Sequence, residues 1–351
     1  MKVVAYSIKS FEKEYLVRAN QKKHDITLIS NPLSAETAMY AEGKDAVVIG
    51  SNDNASAQVI DKLAGLGVKY IATRSVHAGF IDKDAAEKKG IKLANVPSCS
   101  PHAIAEHAVA LALALDRKLP GAATRETTFD FRNEELMGFN LYGKTVGIVG
   151  MGHIGLATAI IFKGFGCKVL GYDINLKVGH DHVPLVPLDE VLAQSDIISL
   201  HAPLTKDTRG MINKSTLTKM KDGVMIINTA SAALMKSTDV LNALDKGKVG
   251  YLGMDIYEFE KNLFSENHKS DEQKDQLLKR FADHPNVLIT PQQACLTREA
   301  QQEIANQTIH NLDMWQEELC LGDACIGTKK CSTRPDAANT QRSHDNLKLL
   351  P

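Results

Sequence analysis

Short apolar runs alternate with amphipathic stretches through the first hundred residues of the chain. The apolar runs predict five strands, and the stretches between them predict four helices. The predicted strands are 2–6, 26–30, 46–50, 68–73 and 91–96, and the predicted helices are 10–20, 34–41, 55–65 and 82–89. Alternation at this spacing is typical of a parallel sheet with helices on both faces.

A second alternating region runs from residue 145 to about residue 295 and predicts another parallel sheet. Its predicted strands are 145–149, 168–172, 196–201, 223–228, 249–255 and 286–290. Between the two regions, Ser100 and Pro101 are a candidate N-cap and first residue for a long helix over 102–118. Residues 120–143 are expected to form an arm with little regular structure, of the kind that wraps a partner subunit.

The first predicted strand of the second region, 145–149, leads directly into a glycine-rich turn and then into a helical stretch. Each glycine of this Gly-x-Gly-x-x-Gly turn has a physical role. Gly150 permits a tight turn, Gly152 lets a pyrophosphate approach the backbone, and Gly155 lets the helix pack closely on the strand. The N-terminus of the helix then presents free N–H groups to the phosphates.

The next strand of this unit ends in an acid, Asp173, which lies 18 residues beyond Gly155. A carboxylate at this distance accepts hydrogen bonds from the adenosine ribose in dinucleotide-binding proteins. It repels a 2′-phosphate, and residues 174–175 supply no cation, so the pattern favours NAD over NADP. The alternative interpretation is a glycine-rich turn in an ordinary parallel sheet.

The fold class predicted from these patterns is α/β, with two doubly wound parallel-sheet domains. A flavodoxin-like substrate domain, residues 1–98 plus 298–321, would carry an inserted Rossmann NAD-binding domain, residues 99–297. A final helix over 297–320 would return the chain to the first domain. Residues 322–351 are polar and aperiodic, and are expected to be a disordered tail.

Composition is that of an ordinary globular protein. The 351 residues are 44% hydrophobic and carry a formal net charge of −1, which gives no reason to expect nucleic acid or an anionic membrane as a partner. The longest apolar run, Ala108–Leu115, is too short to span a bilayer. Residues 1–6 are typical of a strand rather than a signal peptide. We therefore expect a cytoplasmic protein with no metal site and with reduced thiols. A disulfide among the C-terminal cysteines, Cys320, Cys325 and Cys331, is the alternative that stays open.

Five further segments resemble the D-isomer-specific 2-hydroxyacid dehydrogenases, most closely the D-lactate dehydrogenases among them. These segments are KYIATRS (69–75), AIAEHA (103–108), LYGKTVGI (141–148), SDIISLHAPL (195–204) and GMDIYEFE (253–260). The resemblance covers residues 1–320. It implies an NAD-dependent oxidoreductase that interconverts a small 2-keto acid and a 2-hydroxy acid, and a homodimer.

The cofactor side of this family is matched throughout. The resemblance implies cofactor-binding roles for Gly150, Gly152, His153, Ile154, Gly155, Asp173, Ala202, Pro203, Thr208, Thr229, Ala230 and Asp255. It places Asp255 near the nicotinamide carboxamide. His201 matches the same strand and is interpreted as structural.

The catalytic side is matched at one position only. The family uses an arginine to bind the substrate carboxylate, a histidine to protonate the keto oxygen, and a glutamate to hold that histidine. Glu260 matches the glutamate, but Ser231 stands at the arginine position and Gln292 at the histidine position. His77 is a candidate for a relocated acid or base, against the alternative of an ordinary solvated histidine. Arg74 is a candidate for a relocated carboxylate ligand.

Two functions from different classes remain open. The first is a dehydrogenase with a rebuilt or weakened active site. The second is a catalytically inactive NAD(H)-binding pseudoenzyme, which would act as a redox-responsive interaction protein. A third, a decayed scaffold that binds no cofactor, conflicts with the intact glycine turn.

Overall fold

The structure of the protein is a computed structural model that describes residues 1–76, 78–97, 100–174, 183–257, 275–319 and 321–327. The chain divides into two compact units. The first domain comprises Met1–Cys99 and Arg298–Pro351, and the second domain comprises Ser100–Thr297.

Strands and helices alternate in both domains. The strands are β1 (Lys2–Ala5), β2 (Asp25–Leu28), β3 (Ala46–Ile49), β4 (Tyr70–Thr73), β5 (Lys92–Ala94), β6 (Thr145–Val149), β7 (Lys168–Tyr172), β8 (Ile197–Leu200), β9 (Val224–Asn228), β10 (Val249–Met254), β11 (Val287–Ile289) and β12 (Cys325–Ile326). The α-helices are α1 (Ser10–Asn20), α2 (Ala57–Gly65), α3 (Lys83–Lys88), α4 (Pro101–Asp116), α5 (Leu119–Glu126), α6 (His153–Gly164), α7 (Leu188–Gln194), α8 (Lys214–Lys219), α9 (Ser237–Asp245), α10 (Gln276–Asp283) and α11 (Arg298–Gln316). Short 3-10 helices lie at Thr37–Ala41, Ala232–Leu234 and Gly322–Ala324. None of the helices in the described residues is both long enough and apolar enough to cross a membrane.

The first domain is built on a sheet with the strand order β12-β5-β4-β3-β1-β2. Strands β1 to β5 are parallel, and their order is the flavodoxin-like one that the sequence predicted. Successive side chains of a strand point to opposite faces. Val3 and Ala5 therefore pack in the core that contains α1 and α11, whereas Val4 and Tyr6 pack in the core that contains α2 and α3.

The last strand corrects one expectation. The sequence predicted a disordered tail from residue 322, and this is wrong for residues 322–326. The backbone N–H of Asn95 donates to the carbonyl of Ala324 over 3.0 Å, and β12 then pairs antiparallel with β5. The edge of β5 offers unpaired backbone groups, and a short segment satisfies them. The rest of the predicted tail, residues 328–351, lies outside the described residues.

The second domain is built on a parallel sheet with the order β11-β10-β9-β8-β6-β7, which confirms the predicted doubly wound sheet. Leu185 extends it by one parallel bridge to Gly171. Helices α4 and α6 cover one face of the sheet, and α7 to α10 cover the other. The strand order reverses at β6, because β7 lies on one side of it and β8 on the other. Ligands of open α/β sheets bind outside the carboxyl ends of the strands at such a point.

The predicted arm is partly regular. Residues 120–143 were expected to have little regular structure. Their beginning belongs to the helix α5, which occupies residues 119–126, and residues 127–143 contain no further helix or strand. Pro120 occupies the first turn, where its missing N–H costs nothing, and Ala122 and Ala123 favour helix. No residue of α5 is buried.

Candidate cofactor site

The glycine turn follows β6 at the point where the strand order reverses. Gly150 has a φ of +95°, and its N–H donates to the carbonyl of Tyr172 over 2.8 Å. A Cβ at this position would lie 2.5 Å from the backbone nitrogen of Ala202. Glycine is therefore required here both by the backbone conformation and by the close approach of the segment that follows β8.

The other two glycines of the turn differ in their surroundings. A Cβ on Gly155 would collide with the carbonyl oxygen of Gly150, so a side chain there would push α6 away from the turn. A Cβ on Gly152 would meet nothing within 4 Å. Gly152 therefore leaves open space in front of the turn, which is the space that an approaching phosphate needs.

Helix α6 begins at this open space. Gly152 is its N-cap, and no side chain caps the helix. The first N–H groups of an α-helix have no partner within the helix, and the helix dipole places partial positive charge there. His153 and Ile154 occupy the first turn, with His153 exposed. The arrangement suits an anion such as a pyrophosphate.

Asp173 directly follows β7 and is held against the same turn. Its Oδ2 accepts a hydrogen bond of 2.8 Å from the backbone N–H of Met151. The carboxylate is therefore fixed beside the glycine turn, where it can accept from the hydroxyls of a ribose and repel a 2′-phosphate.

The segment after β8 forms a short turn of its own. The hydroxyl of Thr208 donates to the carbonyl of Pro203 over 2.7 Å and accepts from the N–H of Thr205 over 2.8 Å. Thr208 thus fixes the backbone that begins with Ala202, the residue against which Gly150 packs. The resemblance assigns Thr208 to the cofactor site, and the structure shows its hydroxyl holding the backbone of this segment.

Two buried polar atoms at the carboxyl ends of β8 and β9 have no hydrogen-bond partner among the described residues. They are Nδ1 of His201 and Oγ1 of Thr229. An unsatisfied buried polar group costs about 1–3 kcal/mol. A bound molecule with polar groups at this edge would recover that energy, so these residues fit a dinucleotide. Ala230, the next residue, is exposed, and its N–H donates to Asn228 over 3.1 Å.

The sequence predicted a structural role for His201, and one of its two ring nitrogens has a hydrogen-bond partner within the domain. Its Nε2 lies 2.8 Å from the hydroxyl of Ser199. Burial lowers the pKa of His201 to about 4, so the ring is neutral near pH 7. The unpartnered Nδ1 is a feature that no sequence pattern indicated.

Asp255 follows β10, and its carboxylate accepts three hydrogen bonds from described residues. It is 3% exposed. Its Oδ1 accepts from the hydroxyl of Thr290 over 2.6 Å and from the N–H of Gln293 over 2.8 Å, and its Oδ2 accepts from the N–H of Ala294 over 2.9 Å. A carboxylate has about four acceptor sites. One site on Oδ2 therefore remains for a further donor, such as a carboxamide.

His107 of α4 joins this cluster, although the sequence gave it no role of its own. Its Nε2 lies 2.9 Å from the hydroxyl of Thr290 and 3.4 Å from Oδ1 of Asp255. The signal available in the sequence was a histidine on a helix rich in alanine and leucine.

Ser231 and Gln292, the two positions that differ from the family pattern, are both held by hydrogen bonds of their backbone groups. Ser231 is half-buried, and its carbonyl accepts from the amide of Asn228 over 2.9 Å. Gln292 is exposed and has a φ of +53°, and its N–H donates to the carbonyl of Asp255 over 2.9 Å. Neither side chain carries a charge.

The remaining candidates have other outcomes. His77 and Glu260 lie outside the described residues. Arg74, considered as a relocated carboxylate ligand, is instead buried, with its Nε 3.1 Å from Glu12. Cys295 is disulfide-bonded, so the expectation of reduced thiols is wrong for it. The described residues hold no group of three or more His, Cys, Asp or Glu side chains that could bind a metal ion.

Comparison with known proteins identifies the scaffold. The family model "D-isomer specific 2-hydroxyacid dehydrogenase, NAD binding domain" matches residues 109–294. D-lactate dehydrogenase of Escherichia coli is 39% identical over 331 residues, which are 93% of this chain and 98% of that protein.

Solved structures agree. The pyruvate reductase of Chlamydomonas reinhardtii is 40% identical with a TM-score of 0.88, covering 92% of this chain and 98% of that one. D-lactate dehydrogenase with NAD+ from Lactobacillus jensenii is 32% identical with a TM-score of 0.79, covering 93% and 100%. The chain therefore belongs to the D-isomer-specific 2-hydroxyacid dehydrogenase family, and NAD is the cofactor of its second domain.

Proposed function

We propose that this protein is an NAD-dependent 2-hydroxyacid dehydrogenase whose capacity to reduce 2-keto acids is weakened at two positions, while its cofactor site is retained. The observation that supports cofactor binding is the edge of the second sheet. Gly152 leaves open space for a phosphate, and no side chain caps the N-terminus of α6. The Thr229 hydroxyl has no partner among the described residues, so a bound dinucleotide could supply one.

Each part of this edge has a task. The N–H groups at the start of α6 bind the pyrophosphate, and Asp173 accepts hydrogen bonds from the adenosine ribose. Thr229 and the free acceptor site of Asp255 receive the nicotinamide half. The cofactor supplies a hydride when it is bound as NADH. The chain's own residues orient it and exclude a 2′-phosphate.

The weakening follows from the chemistry of Ser231 and Gln292. The resemblance assigns these positions to the arginine that binds the substrate carboxylate and to the histidine that protonates the keto oxygen. A serine hydroxyl carries no charge to pair with a carboxylate. A glutamine amide donates a hydrogen bond but cannot release a proton near neutral pH. Loss of a general acid alone costs roughly 10²–10⁴ in rate.

The substrate class we propose is a small 2-keto acid and its 2-hydroxy acid. The names of the relatives, D-lactate dehydrogenase and pyruvate reductase, put pyruvate first among compounds to try. The test is NADH oxidation at high enzyme concentration with a panel of 2-keto acids. Slow, enzyme-dependent oxidation with at least one of them is expected. No oxidation above background with any of them would contradict the proposal.

The second candidate is the catalytically inactive NAD(H)-binding pseudoenzyme. Both chemical positions are uncharged, yet Asp255 still holds the backbone of Gln292, and this combination favours a retained scaffold without chemistry. Such a protein would signal through a change of shape on binding the cofactor. X-ray scattering curves that are identical with and without NADH would remove its basis.

Restoring the two side chains separates weakened chemistry from a lost substrate site. Ser231→Arg with Gln292→His is expected to raise pyruvate reduction by at least about 100-fold, because general acid catalysis alone is worth that much. The matched control is Ser231→Met with Gln292→Asn, which adds side-chain length without a charge that could pair with a carboxylate and without a titrating acid. No activity in the folded restored variant would show that the substrate site has diverged beyond these two groups.

A homodimer is the assembly we propose. Apolar side chains are unusually exposed along the segment after α4, with Phe129 at 85%, Phe131 at 72% and Met137 at 83%. Exposed apolar side chains grouped in one segment are typical of an interaction surface. Light scattering on the protein eluting from a size-exclusion column should give twice the chain mass. The double variant Phe129→Ser, Met137→Ser should have a lower measured mass. A monomeric wild-type protein would contradict this assembly.

A further inference from the structure

His107 of helix α4 reaches the carboxyl ends of the second sheet's strands, where its Nε2 lies 2.9 Å from the hydroxyl of Thr290. We propose that His107 is a positioning residue for the nicotinamide end of the cofactor: through Thr290 it fixes the Asp255 carboxylate and the loop 290–294 that carries Gln292. This inference rests on the proposed function, since it assumes that NAD(H) is bound along this edge.

The direction of the hydrogen bonds can be deduced. Thr290 has one hydroxyl proton, and the 2.6 Å contact directs it to Oδ1 of Asp255, because a carboxylate only accepts. The same hydroxyl must then accept from His107, whose Nε2 lies 2.9 Å away. His107 therefore carries a proton on Nε2. The result is a donor chain that runs from the helix through Thr290 to the carboxylate.

The seating of α4 explains how His107 reaches this place. Gly253 of β10 has no side chain, and a Cβ there would lie 3.1 Å from Cβ of Leu111. His107 lies four residues before Leu111, on the same helix face, and Asp255 lies two residues after Gly253. Four helical residues span about 6 Å and two strand residues about 6.6 Å, so the spacings along helix and strand match. The close contact at Gly253 therefore brings His107 level with the end of β10.

The Asp255 carboxylate depends on this donor chain. It is buried, and its one ion-pair partner within 4 Å among the described residues is His107, at 3.4 Å. Its other donors are two backbone N–H groups of the loop, at Gln293 and Ala294. Loss of the chain would leave a buried carboxylate with fewer donors and free it to turn. The acceptor site that faces the cofactor would then lose its fixed direction.

Four variants and a control test the positioning role. His107→Leu and Thr290→Val break the chain, whereas His107→Gln keeps an N–H near the Nε2 position and Thr290→Ser keeps the hydroxyl. His102→Leu is the matched control, because His102 is an exposed histidine on the same helix. The dissociation constants of NADH and of ADP-ribose, which lacks the nicotinamide, are measured for each variant together with its melting temperature.

The expected result is a selective loss. His107→Leu and Thr290→Val should each weaken NADH binding about tenfold, the equivalent of one hydrogen bond, and leave ADP-ribose binding unchanged. The two changes together should cost little more than either alone, because both break the same chain. His107→Gln, Thr290→Ser and His102→Leu should stay within about threefold of the wild type.

Two results would overturn the inference. Unchanged NADH affinity in His107→Leu and Thr290→Val would show that the chain does not position the cofactor. Equal losses for NADH and ADP-ribose, with a lowered melting temperature, would show a purely structural role. Failure of the wild-type protein to bind either ligand would instead overturn the proposed function, and this inference with it.

Discussion

The two sheets of this protein share one architecture but differ at the edges formed by the carboxyl ends of their strands. In the first domain the edge is closed by its own side chains. Asp53 accepts from the hydroxyl of Ser7 over 2.7 Å and from the N–H of Gly50 over 2.6 Å, and Arg74 donates to the carbonyl of Tyr6 over 3.1 Å. In the second domain, a Cβ on Gly152 would meet nothing within 4 Å, and the Thr229 hydroxyl has no partner among the residues that the structure describes. The same sheet topology therefore accommodates both a closed and an open edge, and the open edge is where we propose that the cofactor binds.

The first domain also contains buried polar atoms without a partner among the described residues. They are the hydroxyl of Thr73, at the end of β4, and Oε1 of Gln302 in α11. What distinguishes the second domain is the combination of an unpartnered hydroxyl with glycines that leave space in front of a helix N-terminus. A single unsatisfied atom does not make a dinucleotide site.

Among the changes that test this contrast, Gly155→Ala should have the largest effect on stability and on NADH binding. The methyl group would collide with the Gly150 carbonyl, so α6 and the turn must separate. A loss of about 3 kcal/mol in the free energy of unfolding and loss of measurable NADH binding are expected. Urea unfolding and fluorescence titration measure the two effects. Gly164→Ala in the same helix meets nothing within 4 Å and is the control; equal effects of both changes would refute the explanation.

Arg74→Met tests the closed edge of the first domain. Removing the guanidinium leaves Glu12 and two backbone carbonyls without their donor. Because the ion pair is largely buried, a loss of about 3 kcal/mol in stability is expected, with NADH affinity unchanged. Arg18→Met removes an exposed ion pair with Glu14 and should cost less than about 1 kcal/mol. A large fall in NADH affinity in Arg74→Met would show that the edges are coupled.

The His201 imidazole should make the second domain sensitive to acid. Its pKa is lowered from 6.5 to about 4 by burial, so the unfolded chain binds its proton first as the pH falls. This contribution to stability is fully present above pH 6.5 and is lost as the pH falls towards about 4, a change of about 3 kcal/mol. The free energy of unfolding, measured with urea between pH 7 and pH 4, should fall less steeply with decreasing pH in His201→Gln than in the wild type. Parallel slopes would exclude the assigned burial effect.

Gly152→Ala separates cofactor binding from folding. The residue has a φ of −71° and open surroundings, so alanine fits the backbone without strain. Its methyl group would occupy the space that a phosphate needs. Stability should be unchanged and NADH should bind about 100-fold more weakly, which is about 2.7 kcal/mol. Unchanged affinity would place the pyrophosphate elsewhere.

Asp173→Ser should have the smallest effect and sharpen the choice of cofactor. Without the carboxylate, NADH should bind about tenfold more weakly, while the disadvantage of NADPH against NADH should shrink. Parallel titrations with both cofactors measure this ratio. Asp189→Ser removes an exposed carboxylate of the same domain and should change neither affinity. A ratio that stays constant in Asp173→Ser would remove the assigned role of Asp173.

The parallel strands of both sheets could be predicted from sequence because buried parallel strands are continuous apolar runs, whereas the antiparallel edge strand β12 was not predicted. The predicted bounds of β6, 145–149, and β7, 168–172, coincide with those observed. The predicted helix over 34–41 became only a 3-10 helix, Thr37–Ala41. There the hydroxyl of Thr37 accepts a hydrogen bond from the N–H of Ser34 and donates one to the carbonyl of Pro32. Such local hydrogen bonds between side chain and backbone compete with those of an α-helix.

The contacts that define the site could not be predicted in the same way. The positions of Gly150, Gly155 and Asp173 follow from local spacing, so the sequence sufficed. The unpartnered atoms of Thr229 and His201 depend on what packs around them. The contact of His107 with Thr290 depends on how α4 sits on β10, across 183 residues of sequence. The unpartnered atoms and the His107 contact both depend on how distant elements pack against each other, which no local sequence pattern encodes.

The central claim is that the cofactor edge is retained while the chemistry is weakened. The most direct measurement is a titration with NADH by protein-enhanced fluorescence, followed in the same cuvette by pyruvate. The account predicts saturable NADH binding and then only slow oxidation, which the restored Ser231→Arg, Gln292→His variant accelerates at least about 100-fold. Absence of NADH binding, or wild-type oxidation as fast as that of the restored variant, would contradict it.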